Sequence, residues 1–505
     1  MEKSFFQSAL NFSIFTSLSR VLGLIRDQSI AIVFGASGLT DAFLIAFKIP
    51  NFFRRLFGES AFAQAFVPIL SEAKVKSNLE LKNVVDHIGT KFLLILFLVT
   101  LLVTLFAPFF VMIFAWGFYI DIDQTKYNTA SYMLVITAPY LFFISFTAFS
   151  GSILNVYEKY AIQAFTPVIL NISLILSTIY FSKFFHTPIY ALAWGVFFGG
   201  IFQLLFQFPF LYKIRKIPKF KLKKHPSESK LLKRLIPTII GVSVTQVNLF
   251  FDMVIATFLV TGSITWLYFS DRFVELPLAL IGISLATVSL TKLSNAYNKK
   301  EYDNFNQTVG KAIKTAVIFS FPAILGLVFL SKEILFTTIQ YSSFTQNDAI
   351  QSSYSLIGYA VGLIGFVFIK IFATIFLSMG DTKTPVKAGV ASLIVNIILN
   401  ITLAYFFSHV GIAVSTSIAA YVNLLILFYF VKKRQTIEIT LESSLLIKVL
   451  LSCLIMCIFL YFFPENVDFY VNSSASSRVY DLFLSISGAC ILYFGSLKIF
   501  GVKYR

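Results

Sequence analysis

FLLILFLVTLLVTLFAPFFVMIFAW, residues 92–116, is an apolar run without a single charged side chain. A bilayer hydrocarbon core ~30 Å thick takes about 20 such residues as one helix, because each residue advances about 1.5 Å. Working outward from this run, comparable blocks recur along the chain. Fourteen spanning segments are predicted, at 8–34, 39–71, 87–115, 127–154, 160–183, 188–211, 235–260, 263–291, 312–331, 348–379, 385–407, 411–431, 444–464 and 479–500. Composition agrees: apolar residues make up 57% of 505 positions and charged residues only 13%. Soluble domains hold ~45–50% and about 25% respectively. The expected fold class is an all-α polytopic membrane protein.

The net charge of +17 raises nucleic acid as a partner, but its placement argues against that. With the N-terminus in the cytoplasm, only Lys126, Lys183, Lys332 and Arg478 fall on outer loops, and the Lys and Arg of the inner loops and tail far outnumber them. That asymmetry fits the rule that Lys and Arg stay on the cytoplasmic side, and it requires an even number of spans with both termini inside. The loop LYKIRKIPKFKLKKHPSESKLLKR, residues 211–234, holds ten of these cations and reads as a topology anchor beside anionic headgroups. Cys453, Cys457 and Cys490 cannot form a disulfide framework and read as packing residues. The N-terminal stretch carries arginines with no small-residue cleavage site after it, so a cleaved signal is not expected.

The chain also repeats itself across that basic loop. TPVILNISLILSTIYF begins at Thr166 and TPVKAGVASLIVNIILNITLAYFF at Thr384, while LLFQFPFLYK ends at Lys213 and LLILFYFVKK at Lys433. Pro50 and Pro277 interrupt the second and eighth segments. Matched pairs at nearly one offset indicate two six-helix lobes of the same orientation, related by a pseudo-two-fold along the membrane normal. The expected division is an N-terminal lobe at 1–218, a C-terminal lobe at 219–434, and two further helices at 435–505.

Charges inside the spans carry the functional signal. An ionised side chain at mid-bilayer costs about 2.5–3.5 kcal/mol on the insertion scale. The first segment nevertheless carries Arg20, Arg26 and Asp27, and the second carries Asp41, Lys48, Arg54, Arg55 and Glu59. The eighth carries Asp271, Arg272 and Glu275, and the tenth Lys370. Some pairing along the helix is expected: Arg20 with Asp27 seven apart, Arg55 with Glu59 at i,i+4, and Arg272 with Glu275 at i,i+3. The acids lie toward helix ends, whereas Arg20, Arg54 and Arg272 lie deep. Deep guanidiniums need a wet cavity, and their planar forks suit phosphate or pyrophosphate. A second polar set comprises Asp252, Asn396, Asn400 and Thr416. Its oxygens suit a hard cation such as Na⁺ or a proton relay, and equally suit interhelical hydrogen bonding. FGASG (34–38) and GDTKTP (380–385) read as short turns. No phosphate-cradling loop is present, and His87, His186, His225 and His409 are scattered, so neither an ATPase nor a histidine metal site is expected.

SRVLGLIRD (19–27) and FGASGLTDAFLIAFKIPNFFRRLFGESAFAQAFVPILSE (34–72) closely resemble the signature of the MurJ/MviN lipid II flippases. GVSVTQ (241–246), SDRFVELP (270–277) and GDTKTPVK (380–387) extend the resemblance over the whole chain. It implies a member of the multidrug/oligosaccharidyl-lipid/polysaccharide exporter superfamily, with two lobes around a central cavity and a lipid-tail groove on the last two helices. It implies that Arg20, Arg26, Arg54 and Arg272 hold the pyrophosphate. Ser19, Asp27, Asp41, Arg55, Glu59, Asp271, Glu275 and Lys370 would line or gate the cavity. It also implies a Na⁺ set at Asp252, Asn396, Asn400 and Thr416; the second Asn replaces a carboxylate found in the family, which lowers the expected affinity. The expected activity is flipping of the undecaprenyl-pyrophosphate-linked peptidoglycan precursor by a monomer in the bacterial inner membrane, without covalent chemistry. Coupling to Na⁺, H⁺ or the membrane potential is expected, with no other cofactor. Lipid II, membrane lipids and other cell-wall synthesis proteins are the expected partners, and nucleic acid is not. A related exporter of another lipid-linked oligosaccharide or of drugs remains open, as does an intramembrane enzyme acting on a lipid pyrophosphate.

Overall fold

The computed structural model describes residues 2–58, 60–434, 437 and 442–502. Every long element among them is helical, and the chain divides into two compact units, Met1–Thr261 and Gly262–Arg505.

The first unit opens with α1 (Glu2–Phe34) and α2 (Gly38–Phe53), followed by a π-helical segment Arg54–Gly58 and α3 (Ser60–Lys76). Next come α4 (Asn78–Leu105), the short α5 (Ala107–Phe114) and α6 (Trp116–Ile120), then α7 (Thr125–Thr137) and α8 (Pro139–Val156). The unit closes with α9 (Tyr160–Ile179), α10 (Tyr190–Lys213) and α11 (Pro226–Ala256). The FGASG stretch is the tight turn its glycines promise: Gly35 has φ +61°, and the Ser37 hydroxyl caps α2 by accepting from Thr40 N–H at 3.2 Å. An apolar core joins α3, α4 and α8 to α11, through Phe66, Leu70, Val85, Phe149 and Leu231.

The second unit runs α12 (Ser263–Pro277), a second π segment Leu278–Ile283, α13 (Ser284–Asn298), α14 (Tyr302–Phe329) and α15 (Ser331–Thr338). Then follow α16 (Gln346–Val361), α17 (Leu363–Ser378), α18 (Lys383–Lys432), α19 (Ser443–Phe462), α20 (Val467–Asn472) and α21 (Ala475–Ile499). α19 and α21 pack on α14 through Val317, Val449, Met456, Tyr493 and Leu497, and the Tyr493 hydroxyl donates to Ile318 O at 2.6 Å.

One local feature repeats between the units. Each proline-bearing helix of the charged motifs, α2 with Pro50 and α12 with Pro277, runs into a π turn. Proline removes a backbone donor and clashes with the preceding turn, and a π turn absorbs the mismatch. Charged side chains and ladder defects therefore coincide, at Arg54 and just after Arg272.

Ten helices among the described residues are long and apolar enough to cross a bilayer, or eleven when Pro226–Ile239 and Gly241–Ala256, bent by 45°, count as one. That is fewer than the expected fourteen. α1 and the α2–α3 stretch carry charges that lower their hydropathy. α18, at 50 residues, is far longer than one span needs. It is in fact an antiparallel hairpin: Ser408 leaves the helical region at φ +53°, ψ −137°, and the Ser392 hydroxyl donates to Ala419 O at 2.7 Å, a contact only a reversed chain can make. The reversal demands glycine at 411, where a Cβ would lie 2.2 Å from Leu403 O.

Side-chain polarity is arranged for lipid. Thr137, Ser145, Ser150, Ser352 and Ser355 are fully buried, while Phe97, Leu98 and Leu102 of α4 are exposed. A chain folding in water would reverse this.

Candidate functional site

The first unit supplies Arg20, Arg26 and Arg54. Arg26 is buried at 9% exposure. Its Nε and Nη2 both donate to Asp27 Oδ1, at 2.9 and 2.5 Å, and its Nη1 donates to Asn171 Oδ1 at 3.0 Å. Asn171 comes from α9 and donates its own amide to Ser19 O at 2.9 Å. Side chains on a helix lean toward its N-terminus, so the Arg26 guanidinium reaches back over the turn that carries Ser19 and Gly23. The expected Arg20–Asp27 pair does not form. The spacing puts both on one face but about 10 Å apart along the axis, and the adjacent Arg26 takes the carboxylate instead. Arg20 is exposed and has no hydrogen bond or ion pair among the described residues.

On α2, Asp41 is 2% exposed in the first turn, where the helix dipole favours a carboxylate. Arg54 opens the π segment half-buried, and its Nε donates to Asn51 Oδ1 at 3.0 Å. Arg55 is exposed, and Glu59 lies outside the described residues.

In the second unit Arg272 is held on α12 by the helix's own periodicity. Its Nη1 meets Glu275 Oε2 at 2.9 Å, its Nη2 donates to the Tyr268 hydroxyl at 3.0 Å, and its Cζ lies 4.8 Å over the Tyr268 ring. The pair is open, with side-chain exposures of 37% and 49%. Open ion pairs of this kind contribute little to stability. Asp271 is exposed beside it, and Lys370 is exposed on α17.

The residues of the expected cation set fall in different units. Asp252 is half-buried on α11 and accepts from Asn248 Nδ2 at 3.2 Å. Asn396 and Asn400 are fully buried on the first arm of the α18 hairpin, and Thr416, on the second arm, donates to Ile412 O at 2.9 Å. Among the described residues no group of three or more His, Cys, Asp or Glu side chains is placed to hold a metal ion.

Asn171 and Tyr268 were not expected from sequence. Tyr268 stands at i−4 from Arg272, and that spacing could have pointed to it. Asn171 lies 145 positions from Arg26, and no local pattern connects them.

Residues 30–480 match the sequence profile of the family described as Lipid II flippase MurJ. The "Probable lipid II flippase MurJ" of Vibrio cholerae serotype O1 is 41% identical, over 85% of this chain and 83% of its own length. The "Lipid II flippase MurJ" of Burkholderia cenocepacia is 35% identical, over 85% and 84%. Among solved structures, "Lipid II flippase MurJ, inward closed conformation" superposes with a TM-score of 0.81 at 31% identity, covering 96% of this chain and 99% of that one. A multidrug-resistance MATE transporter of the MOP superfamily, in an inward-facing conformation, superposes at 0.66 with 15% identity over 82% of this chain, a likeness of fold alone.

Proposed function

Since the chain belongs to the lipid II flippase MurJ family, we propose that it carries the undecaprenyl-pyrophosphate-linked peptidoglycan precursor from the cytoplasmic to the periplasmic leaflet of the bacterial inner membrane by alternating access. The observation that carries this reading is the match to a MurJ structure over 96% of the chain at 31% identity. The spans number fourteen: the eleven apolar ones, a further one from dividing α18 at Ser408, and the charged α1 and α2–α3. Both termini lie in the cytoplasm, as the ten cations of residues 211–234 require under the positive-inside rule.

Arg20, Arg26, Arg54 and Arg272 hold the pyrophosphate. Dragging that dianion through hydrocarbon is prohibitive, and guanidinium forks replace its water with charge-assisted hydrogen bonds. Arg20, exposed and without an acidic partner among the described residues, attracts the headgroup first. Arg272 exchanges Glu275 for a phosphate oxygen, so one anion replaces another and no bare cation is left in the membrane. Asp27, Asp41, Asp271 and Glu275 restrain the arginines when the substrate is gone, while Ser19, Arg55, Glu59 and Lys370 line the route. The polyprenyl tail stays in lipid against α19 and α21, whose Ile447, Leu454, Ile458, Phe483 and Ile491 are exposed. Asp252, Asn396, Asn400 and Thr416 are candidates for sensing Na⁺ or H⁺, with the membrane potential as the other source of drive.

Arg272→Ala tests the assignment. The variant inserts at normal levels because its ion pair is exposed, yet it fails to support growth when the native copy is depleted. Normal wall synthesis on Arg272→Ala alone removes Arg272 from the pyrophosphate site. An enzyme acting on the same lipid would change its mass, whereas a flippase returns it unchanged.

A further inference from the structure

Asn171 sits near the middle of α9, 5% exposed, in a helix whose neighbouring residues are almost all apolar. An amide in that setting costs free energy unless its hydrogen bonds are met. Gluing α9 to α1 would need only the bond from Nδ2 to Ser19 O at 2.9 Å. The other end of the amide does something else. With Nδ2 anchored on the α1 backbone, Oδ1 is aimed at Arg26 Nη1, 3.0 Å away. Arg26 Nε and Nη2 both donate to one oxygen of Asp27. Asn171 takes the remaining nitrogen, Nη1, and so bears on the orientation of the group.

The chemical identity of this third contact matters. Asp27 already sets a carboxylate against the Arg26 guanidinium. A carboxylate at 171 could accept from Arg26 but could not donate to the Ser19 carbonyl, and it would add a negative charge that repels a phosphate. An amide oxygen holds the guanidinium by its dipole and adds no charge. We propose that Asn171 is a positioning residue for substrate recognition: anchored on the Ser19 carbonyl, it orients Arg26 toward the pyrophosphate without adding a further negative charge beside it. The inference rests on Arg26 being a pyrophosphate ligand, as argued above.

The test is a binding titration of fluorescent lipid II to the full-length protein in nanodiscs, with thermal unfolding of each variant measured alongside. Asn171→Asp keeps an acceptor for Arg26 but loses the donor to Ser19 O and buries a charge, so it is expected to unfold at a lower temperature than wild type and to bind about tenfold more weakly. Asn171→Ala is expected to weaken binding similarly, with some loss of unfolding temperature from the lost interhelical bond. Both substitutions are repeated in an Arg26→Gln background, where each should change affinity by less than about twofold, because the group they act through is gone. A purely structural role predicts equal losses in both backgrounds, and that result overturns the proposal. So does wild-type affinity in Asn171→Asp when Arg26→Gln itself binds weakly. If Arg26→Gln binds as tightly as wild type, the pyrophosphate role of Arg26 fails, and this inference falls with it.

Discussion

Asp86→Ala should release the basic loop between α10 and α11 from the body of the first unit. Asp86 is 1% exposed on α4. It accepts from the Lys219 backbone N–H at 2.8 Å, pairs with Lys221 Nζ at 3.4 Å, and takes a hydrogen bond from Lys82 Nζ. One turn on, Thr90 Oγ1 accepts from Lys221 N–H at 2.8 Å. Toward the far end Lys216 Nζ donates to Asn78 O at 2.7 Å, and Lys82 Nζ also reaches Ile217 O at 2.7 Å. The loop is thus zipped along the polar end of α4, with Asp86 as the only carboxylate in these contacts. Removing it deletes a charge-assisted backbone bond and both lysine contacts, a loss of about 2–3 kcal/mol for the local closed state. The opening equilibrium then rises about 30- to 150-fold. Trypsin reads this directly, since cleavage of a segment that recloses quickly follows the population of its open form. The informative bond is Lys216–Ile217, because Lys216 is 6% exposed while Lys223 and Lys224 are exposed already. Cleavage there should accelerate by one to two orders of magnitude in Asp86→Ala, and by less in Asp86→Asn, which keeps an acceptor for Lys219. A rate at Lys216 within about twofold of wild type in Asp86→Ala would refute the account of the loop.

Two stability predictions concern the end of the second unit where α15, α20 and α21 meet. Arg478, 7% exposed, donates to Phe336 O, to both Gln340 O and Gln340 Oε1, and to Ser473 O and Val471 O. Arg478→Ala strands these acceptors and should destabilise the protein by about 3–5 kcal/mol, seen as a lower unfolding temperature in detergent; a shift of under a degree would contradict this. Glu333 on α15 has its pKa raised to about 7, chiefly by burial, with the nearby Asp481 charge adding to the shift. A carboxyl raised in the folded state costs nothing below about pH 4.5 and progressively more up to pH 7, where the folded protein must ionise it. Stability should therefore fall by on the order of 3 kcal/mol as pH rises through that window, and Glu333→Gln should flatten the profile. An unchanged profile in Glu333→Gln would assign the dependence to another group.

Much of the fold was legible because the bilayer imposes a length on every apolar run. The reversal at Ser408 falls between the predicted spans 385–407 and 411–431 although neither glycine nor proline stands at 408 itself. Helix-period pairing was legible too, and the Arg272–Glu275 contact forms as its spacing suggests. Contacts between distant helices were not. Nothing near Arg26 identifies Asn171, and the competition in which Arg26 rather than Arg20 claims Asp27 depends on how two arginine side chains lie on a folded helix. The short helices α6, α15 and α20 were missed for a related reason, since they are too short for a periodic signal and are held by tertiary contacts such as those of Arg478.

As a lipid II flippase, this chain moves lipid II between leaflets. The direct measurement is the fraction of lipid II reachable from the outer face, by an added lipid II-cleaving enzyme, in cells of the native bacterium depleted of the protein and then resupplied. Depletion should leave lipid II accumulated and protected, and resupply of wild type, but not of Arg272→Ala, should restore its cleavage without altering its mass. Equal accessibility before and after depletion would contradict the account.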